Sequence, residues 1–395
     1  MSSPESGPHV VLRERAAALA RKGRAWFFRD DLGSGPPPGA GLVRVRDGRG
    51  ADFGLGITSR SAKLALQLCG PWPGEGVPGP EEFFRRRLAE AVDRRLHGTL
   101  PRDGTRLVHG IADGLPGLVV DRYAGVLVLQ VSAAAVERNL GCIVPFLVER
   151  FAPEMVLARN DIAVRRLEGL PQEILLLHGR RVTEVEIVED GIRHRVLPFE
   201  GQKTGFYLDQ APARAAVRRL AKGRAVLDLF SYQGGFALAA LAGGAASALA
   251  VDQSREALGR AEAAARANGL EGLRTECANV FDFLRRPDLG PFDLVILDPP
   301  AFAKSRRELP GALRGYRDLN RRALRILAPG GFLATCSCSH HLTLDRFESL
   351  VRQAAAGLPF RVLLRERIGA GGDHPVWLSM PETEYLKVLL LQRQG

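Results

Sequence analysis

A chain of 395 residues, 46% hydrophobic and 25% charged, has room for two or three domains and the balance of a soluble globular protein. No run of roughly 18 apolar residues is present, which excludes a membrane-spanning helix. The polar start, residues 1–8, reads as a flexible tail without the apolar centre of a signal peptide, so a cytoplasmic location is expected. A net charge of +11 points to a polyanionic partner, although only six of the 55 basic residues are lysine, a skew that overall composition also produces.

Residues 9–72 read as a small β-rich module. An aromatic cluster, Trp26-Phe27-Phe28, comes first, then Gly-Pro turns over 33–41 and strands over 41–46 and 52–57. The Gly/Pro punctuation of 70–80 marks a linker. A helix follows over 81–96, with Phe84, Leu88, Ala91, Val92 and Leu96 on one stripe among arginines. Strands are expected at 115–121 and 126–131, then a helix over 136–151. A hairpin over 184–189 and 192–198 turns at Asp190-Gly191, a type I′ signal. Residues 80–198 thus form an α+β middle domain.

From Arg214 onward the period changes. Apolar strands at 225–230, 246–252, 274–277, 292–298 and 331–337 alternate with helices from Gly234, over 255–268, near 316–327 and from Leu344; a last strand covers 385–391. Repeated strand–helix units imply an α/β fold, a Rossmann-like doubly wound parallel sheet, over 199–395.

The strand ending Asp228-Leu229-Phe230-Ser231-Tyr232 runs into Gln233-Gly234-Gly235, where glycine lets backbone approach a ligand closely. Asp252 ends the next strand, where an acid can accept hydrogen bonds from a ribose. The turn is not G-x-G-x-x-G, so S-adenosylmethionine fits better than a dinucleotide. Asp298-Pro299-Pro300 ends another strand and Cys338 a further one. Both would face one crevice, with the prolines fixing the backbone of the acid. A thiolate adding to C6 of a pyrimidine makes C5 nucleophilic, while an acid at N3 takes up the developing charge. Phe302 offers a ring face to a splayed base.

The five cysteines include no C-x-x-C pair, which argues against a zinc ribbon and a disulfide framework. No metal is expected; His340 and His341 lack ligand spacing. Cys336 and Cys338 share a strand face. Position favours Cys338 as the nucleophile, because ligands bind beyond the carboxyl ends of strands, and leaves Cys336 in the core.

Four segments, Gln202-Lys203-Thr204 through Asp209-Gln210, Phe230-Ser231-Tyr232-x-Gly234-Gly235, Asp298-Pro299-Pro300-x-Phe302 and Cys336-Ser337-Cys338-Ser339, together resemble the RlmI family. These are S-adenosylmethionine-dependent 23S rRNA cytosine-C5 methyltransferases. Asp113-Gly-Leu-Pro-Gly117, Arg165-Arg-x-Glu-Gly169 and Asp373-His-Pro375 extend the likeness over nearly the whole chain. The resemblance implies an N-terminal PUA domain that binds RNA, a middle domain and a methyltransferase domain. It also implies ribosomal RNA, naked or in an assembling large subunit, as partner, and allows a homodimer. It places Gln202, Lys203 and Thr204 near the cofactor, with Asp209 and Gln210 on its approach. Asp228 and Tyr232 would flank the methionine moiety, Asp252 the ribose and Asn279 the adenine, the latter through its side-chain carbonyl. Arg214, Pro299, Pro300 and Phe302 would meet the RNA. Ala211, Asn279 and Ala301 depart from the family pattern.

Two other functions fit parts of this sequence. A purine methyltransferase would not need the thiol at Cys338. An RNA-binding assembly factor without catalysis would not need Asp298 and Cys338 together.

Overall fold

The computed structural model of the chain describes residues 7–34, 41–61, 64–74, 76–96, 103–302 and 308–395. Most of the expected 1–8 tail and of the 33–41 turn lies outside them. The described chain forms two compact units. The first runs to Ile187 and adds Arg195–Leu208 and Gly372–Thr383; the second holds Val188–His194, Asp209–Gly371 and Glu384–Gly395.

In the first unit the chain forms β1 (His9–Leu12), α1 (Glu14–Arg21), β2 (Trp26–Phe28), β3 (Leu42–Asp47), β4 (Asp52–Thr58) and β5 (Leu64–Gly70). These strands make a sheet of order β1-β3-β4-β5-β2. Next come α2 (Pro80–Leu96), β6 (Gly104–His109), β7 (Leu118–Tyr123), β8 (Val126–Val131), α3 (Ala134–Glu137), α4 (Leu140–Phe151), β9 (Met155–Arg159) and β10 (Ile174–Gly179). Their sheet has the order β10-β9-β8-β7-β6. The hairpin of β11 (Val185–Glu189) and β12 (Ile192–Val196), whose Val188–His194 span is counted with the second unit, turns at Asp190 (φ 49°) and Gly191 (φ 80°), the left-handed pair that the Asp-Gly signal predicts.

The structure refines the expected organisation here. The 9–72 module has a core of its own around Phe27, Val43, Val45 and Leu66, while its Leu55, Ile57, Cys69 and Trp72 pack with Phe83, Leu88 and Val120 of the middle domain. The helix expected over 136–151 is broken, because the Asn139 side chain donates to the Ala135 carbonyl at 2.7 Å and ends α3. Strand β9 carries no alternation that a sequence reading could find, since all five of its residues are buried. Residues 199–208 and 372–383 group with this unit by their packing.

The family-like motifs of this unit are polar cores. The Arg165 side chain is fully buried and donates to the carbonyls of Val131 (2.5 Å) and Pro171 (2.6 Å) and to Glu137 (2.9 Å). Asp373 accepts from the Arg106 amide at 2.9 Å, and its own carbonyl accepts from Arg95 at 3.0 Å. Each satisfies groups that would be costly to bury alone.

The second unit contains α5 (Ala211–Leu220), β13 (Ala225–Leu229), α6 (Gly235–Ala242), β14 (Ser247–Asp252), α7 (Arg255–Ala267), β15 (Leu273–Cys277), α8 (Val280–Phe283), β16 (Phe292–Leu297), α9 (Leu309–Arg325), β17 (Leu327–Ser337), α10 (Leu344–Ala355), β18 (Arg361–Ile368) and β19 (Lys387–Gln394). Its seven strands are ordered β15-β14-β13-β16-β17-β19-β18. The first five are parallel, and β19 is antiparallel to both its neighbours. The sheet is therefore not parallel throughout, as the alternation suggested. Successive strand residues face opposite sides. Val226, Leu294, Ile296 and Ala334 pack with Ala213, Val217 and Ala237 of α5 and α6. Leu227, Val295 and Leu333 pack with Leu319 of α9 and Phe347 of α10. Ser254 caps α7 by accepting from the Ala257 amide at 3.2 Å, a contact worth about 1 kcal/mol. Among the described residues, no helix is long and apolar enough to cross a membrane.

Arg214, expected at the RNA, is 4% exposed on α5. Its guanidinium grips Glu189 with both ends, at 2.5 and 2.9 Å, within this unit. A group so enclosed and paired has no face to offer a phosphate. Arg214→Ala should destabilise the protein by about 3–5 kcal/mol in urea titrations, since it strands a buried carboxylate. Joint replacement with Glu189→Leu should recover most of that loss; no recovery would mean that Arg214 acts through more than this pair.

Candidate active site

Strand β13 lies between β14 and β16, so the order reverses there and a crevice opens beyond the carboxyl ends of the strands. The loop leaving β13 is held in an unusual shape. Phe230 (φ 61°), Tyr232 (φ 48°) and Gly234 (φ 71°) are all left-handed. Such a conformation costs about 1–2 kcal/mol at each non-glycine. Backbone contacts hold it: the Ser231 amide donates to the Val251 carbonyl at 3.1 Å, and the Tyr232 amide to Asp252 at 2.9 Å. A Cβ on Gly234 would come within 2.8 Å of the Ala261 methyl, so glycine here also lets α6 and α7 pack closely.

Three carboxylates end adjacent strands. Asp228 of β13 is fully buried; one oxygen accepts from the Ala237 amide at 3.0 Å. The other has no hydrogen-bond partner among the described residues. Burial pushes its pKa up to about 8, and the charges of Asp298 and Asp252 add to the shift. Asp252 of β14 uses one oxygen for the Tyr232 amide and the other for the Ser254 amide at 2.8 Å, which orients it in the crevice wall. Asp298 follows β16 and accepts from the Gln210 amide at 2.9 Å.

Asn279 is exposed at the start of α8. Its carbonyl accepts from the amides of Phe281 (2.9 Å) and Asp282 (3.4 Å). That corrects the expectation of a carbonyl turned to a ligand. The cap takes the acceptor and leaves the NH2, a donor suited to a ring nitrogen.

The thiols differ in setting. Cys336 of β17 is fully buried, and burial, with Asp298 adding, holds its pKa well above the ordinary thiol value. Cys338 lies one residue past the strand and is partly exposed. Strands β16 and β17 pair in parallel with Leu297 opposite Thr335, so Asp298 and the Cys336–Cys338 segment leave neighbouring strand ends together. Pro299 is buried and Pro300 exposed. The Pro300 carbonyl lies 3.5 Å from the Tyr316 hydroxyl, which also meets the Ser337 hydroxyl at 3.4 Å. Phe302 is half-buried, its ring centred 4.7 Å from Tyr316 and 5.8 Å from Phe281. Asp209 accepts from the Tyr385 hydroxyl at 2.6 Å.

Gln202, Lys203 and Thr204 belong to the first unit. Gln202 and Lys203 are exposed. Thr204 is buried there and donates to Asp121 at 2.5 Å, with the Tyr123 hydroxyl 2.8 Å away. Tyr316, Tyr385 and Lys387 escaped the sequence reading. The two tyrosines read as apolar helix and strand residues, and nothing in Leu386-Lys387-Val388 marks a lysine as buried.

The family model for S-adenosylmethionine-dependent methyltransferases matches residues 158–372. Ribosomal RNA large subunit methyltransferase I of Aeromonas hydrophila is 39% identical, covering 97% of this chain and 98% of its own. The protein of the same name from Aeromonas salmonicida is 40% identical with the same coverage. A solved candidate S-adenosylmethionine-dependent methyltransferase from Streptococcus mutans shares the fold over 98% of this chain and 100% of its own, with TM-score 0.82 at 22% identity. The chain belongs to the ribosomal RNA large subunit methyltransferase I family of S-adenosylmethionine-dependent methyltransferases.

The crevice suits that cofactor, which carries a sulfonium, an ammonium and a ribose diol. A buried acid with one unpartnered oxygen favours a cation, and a carboxylate fixed at the end of β14 favours a diol. Because Asp228 holds its proton up to about pH 8, a cationic group at its free oxygen should drive that proton off. Calorimetry at pH 7 in buffers of different ionisation enthalpy should show release of about one proton on cofactor binding. Asp228→Asn should bind at least about tenfold more weakly and release none, as expected for a lost charge-assisted bond. An unchanged proton count in the variant would remove Asp228 from the cofactor site.

Proposed function

We propose that this enzyme transfers a methyl group from S-adenosylmethionine to C5 of a cytosine in 23S ribosomal RNA, with Cys338 as nucleophile. The observation that carries the reading is the contrast between two thiols on one strand. Cys336 is sealed in the core, while Cys338 lies partly exposed beyond the strand end, beside the Asp298 segment. The names of the relatives support large-subunit ribosomal RNA as substrate. The net charge of +11 suits a polyanion, and a PUA role for the β1–β5 sheet belongs to the same proposal.

In this reading Asp228 holds the methionine ammonium, with Tyr232 and Gly234 shaping the wall beside it. Asp252 takes the ribose hydroxyls, and the Asn279 NH2 meets an adenine ring nitrogen. The cofactor, when bound, supplies the methyl group. The Cys338 thiolate adds to C6 of cytosine, forming a C–S bond and placing electron density on C5. Asp298, oriented by Gln210, hydrogen-bonds or protonates N3 as charge builds. Once C5 is methylated, its proton leaves to a base and the C–S bond breaks, returning the thiolate. Pro299 and Pro300 fix the carboxylate, and the ring of Phe302 supports a base turned out of its stack. One side of that ring already packs on Tyr316, so Phe302 serves both the core and the site.

Nucleoside mass spectrometry of undermodified 23S RNA, incubated with enzyme and methyl-labelled cofactor, tests the proposal. Label in 5-methylcytidine is expected. Cys338→Ala should lose at least about 10³-fold in turnover with cofactor affinity nearly unchanged, while Cys336→Ala keeps its activity. Label in methylated adenosine or guanosine would move the enzyme to purines. Cofactor and RNA binding with no label in RNA or in ribosomal particles would leave a binding factor.

A further inference from the structure

Lysine is almost never fully buried without a partner, yet Lys387 is 3% exposed. It sits at the first residue of β19, opposite Ser337 on the last rung of the β17–β19 pairing. Its ammonium donates to the Ser339 carbonyl at 2.8 Å. The strand end and the ammonium thus bracket Cys338 from either side in sequence, at Ser337 and Ser339. Among the described residues, no carboxylate lies within ion-pair distance of Lys387. One carbonyl dipole is poor compensation for a buried positive charge.

The titratable groups acting on Lys387 are few. Burial lowers its pKa to about 8, while Cys338 first and then Glu384 act to raise it. Glu384 is exposed and Cys338 partly exposed. Around the thiol, the charges of Cys338 and Asp298 both raise the pKa of Cys336 and of Tyr316 on α9. His340 stacks on Tyr385, ring centres 5.3 Å apart. Negative charge close to a thiol opposes its ionisation, so a thiolate in the neighbourhood of Asp298 needs a nearby cation.

We propose that Lys387 is a positioning residue for the nucleophile: it anchors the Cys338–Ser339 turn through the Ser339 carbonyl, and its enclosed ammonium keeps Cys338 ionised. The proposal rests on the reading of Cys338 as nucleophile. It explains why a chain with only six lysines spends one in an interior. It also explains how the thiol beside an acid becomes reactive near neutral pH.

The test follows the rate of iodoacetamide labelling at Cys338 against pH, read by peptide mass spectrometry on the full chain without RNA or cofactor. Peptide resolution separates Cys338 from exposed Cys277. The wild-type midpoint should fall below the ordinary thiol value of about 8.5. In Lys387→Met it should rise by about one unit, slowing labelling at pH 7 about tenfold. Lys387→Arg, which keeps the charge, should stay close to wild type. A wild-type midpoint at or above the ordinary value overturns the proposal by itself, whether or not any variant folds. An unchanged midpoint in folded Lys387→Met, with cofactor binding intact, would reduce Lys387 to a strut for the Ser339 carbonyl and overturn it too. Lys387→Gln repeats the comparison should the Met variant not fold. Labelling needs no methyl transfer, so a depressed midpoint with no 5-methylcytidine formed would sink the base assignment and spare this one.

Discussion

Strand β13 is hydrogen-bonded in parallel to β14 on one side and to β16 on the other. The chain must leave its carboxyl end by a path that crosses neither neighbour. The left-handed turn at Phe230, Tyr232 and Gly234 meets that demand. Because neighbouring parallel strands end at one level, their last residues converge. Asp228, Asp252 and Asp298 meet for this reason, although the sequence separates them widely. The cofactor crevice is a consequence of strand order before it is a property of any residue.

That convergence has an electrostatic cost. Burial does most to keep the proton on Asp228, and the charges of Asp298 and Asp252 in the same crevice add to it. A cationic ligand relieves the strain, so the site is built to be completed by what it binds. At the far side of the crevice the sign reverses. Lys387 brings a buried positive charge to the turn that carries Cys338. The acids and the lysine stand at the ends of different strands of one sheet.

Burial sorts side chains of one type into different work. Arg165 and Arg214 bind internal groups within their own units and have little to offer a ligand. Of two cysteines two residues apart, one is sealed in the core and one lies past the strand end. Phe302 gives one side to Tyr316. In each case the neighbours decide, and those neighbours come from distant parts of the chain.

The sequence by itself determined what short-range physics governs. The alternation of apolar strands and helices after Arg214, the Asp190-Gly191 turn, the glycines after β13 and the acids at strand ends all follow from local period and backbone freedom. That the Asp298 and Cys338 segments leave neighbouring strand ends was legible as well, because both follow apolar runs that had to be strands. Only the tertiary structure decided the antiparallel insertion of β19 and the packing of Leu55, Ile57, Cys69 and Trp72 into the core of the middle sheet. It also decided the assignment of 199–208 and 372–383 to the first unit. The pairing of Arg214 with Glu189, the turn of the Asn279 carbonyl into its helix and the burial of Lys387 belong to the same class. Each depends on which residues far apart in sequence are brought within a few ångströms, and neither hydrophobic period nor residue type encodes that distance.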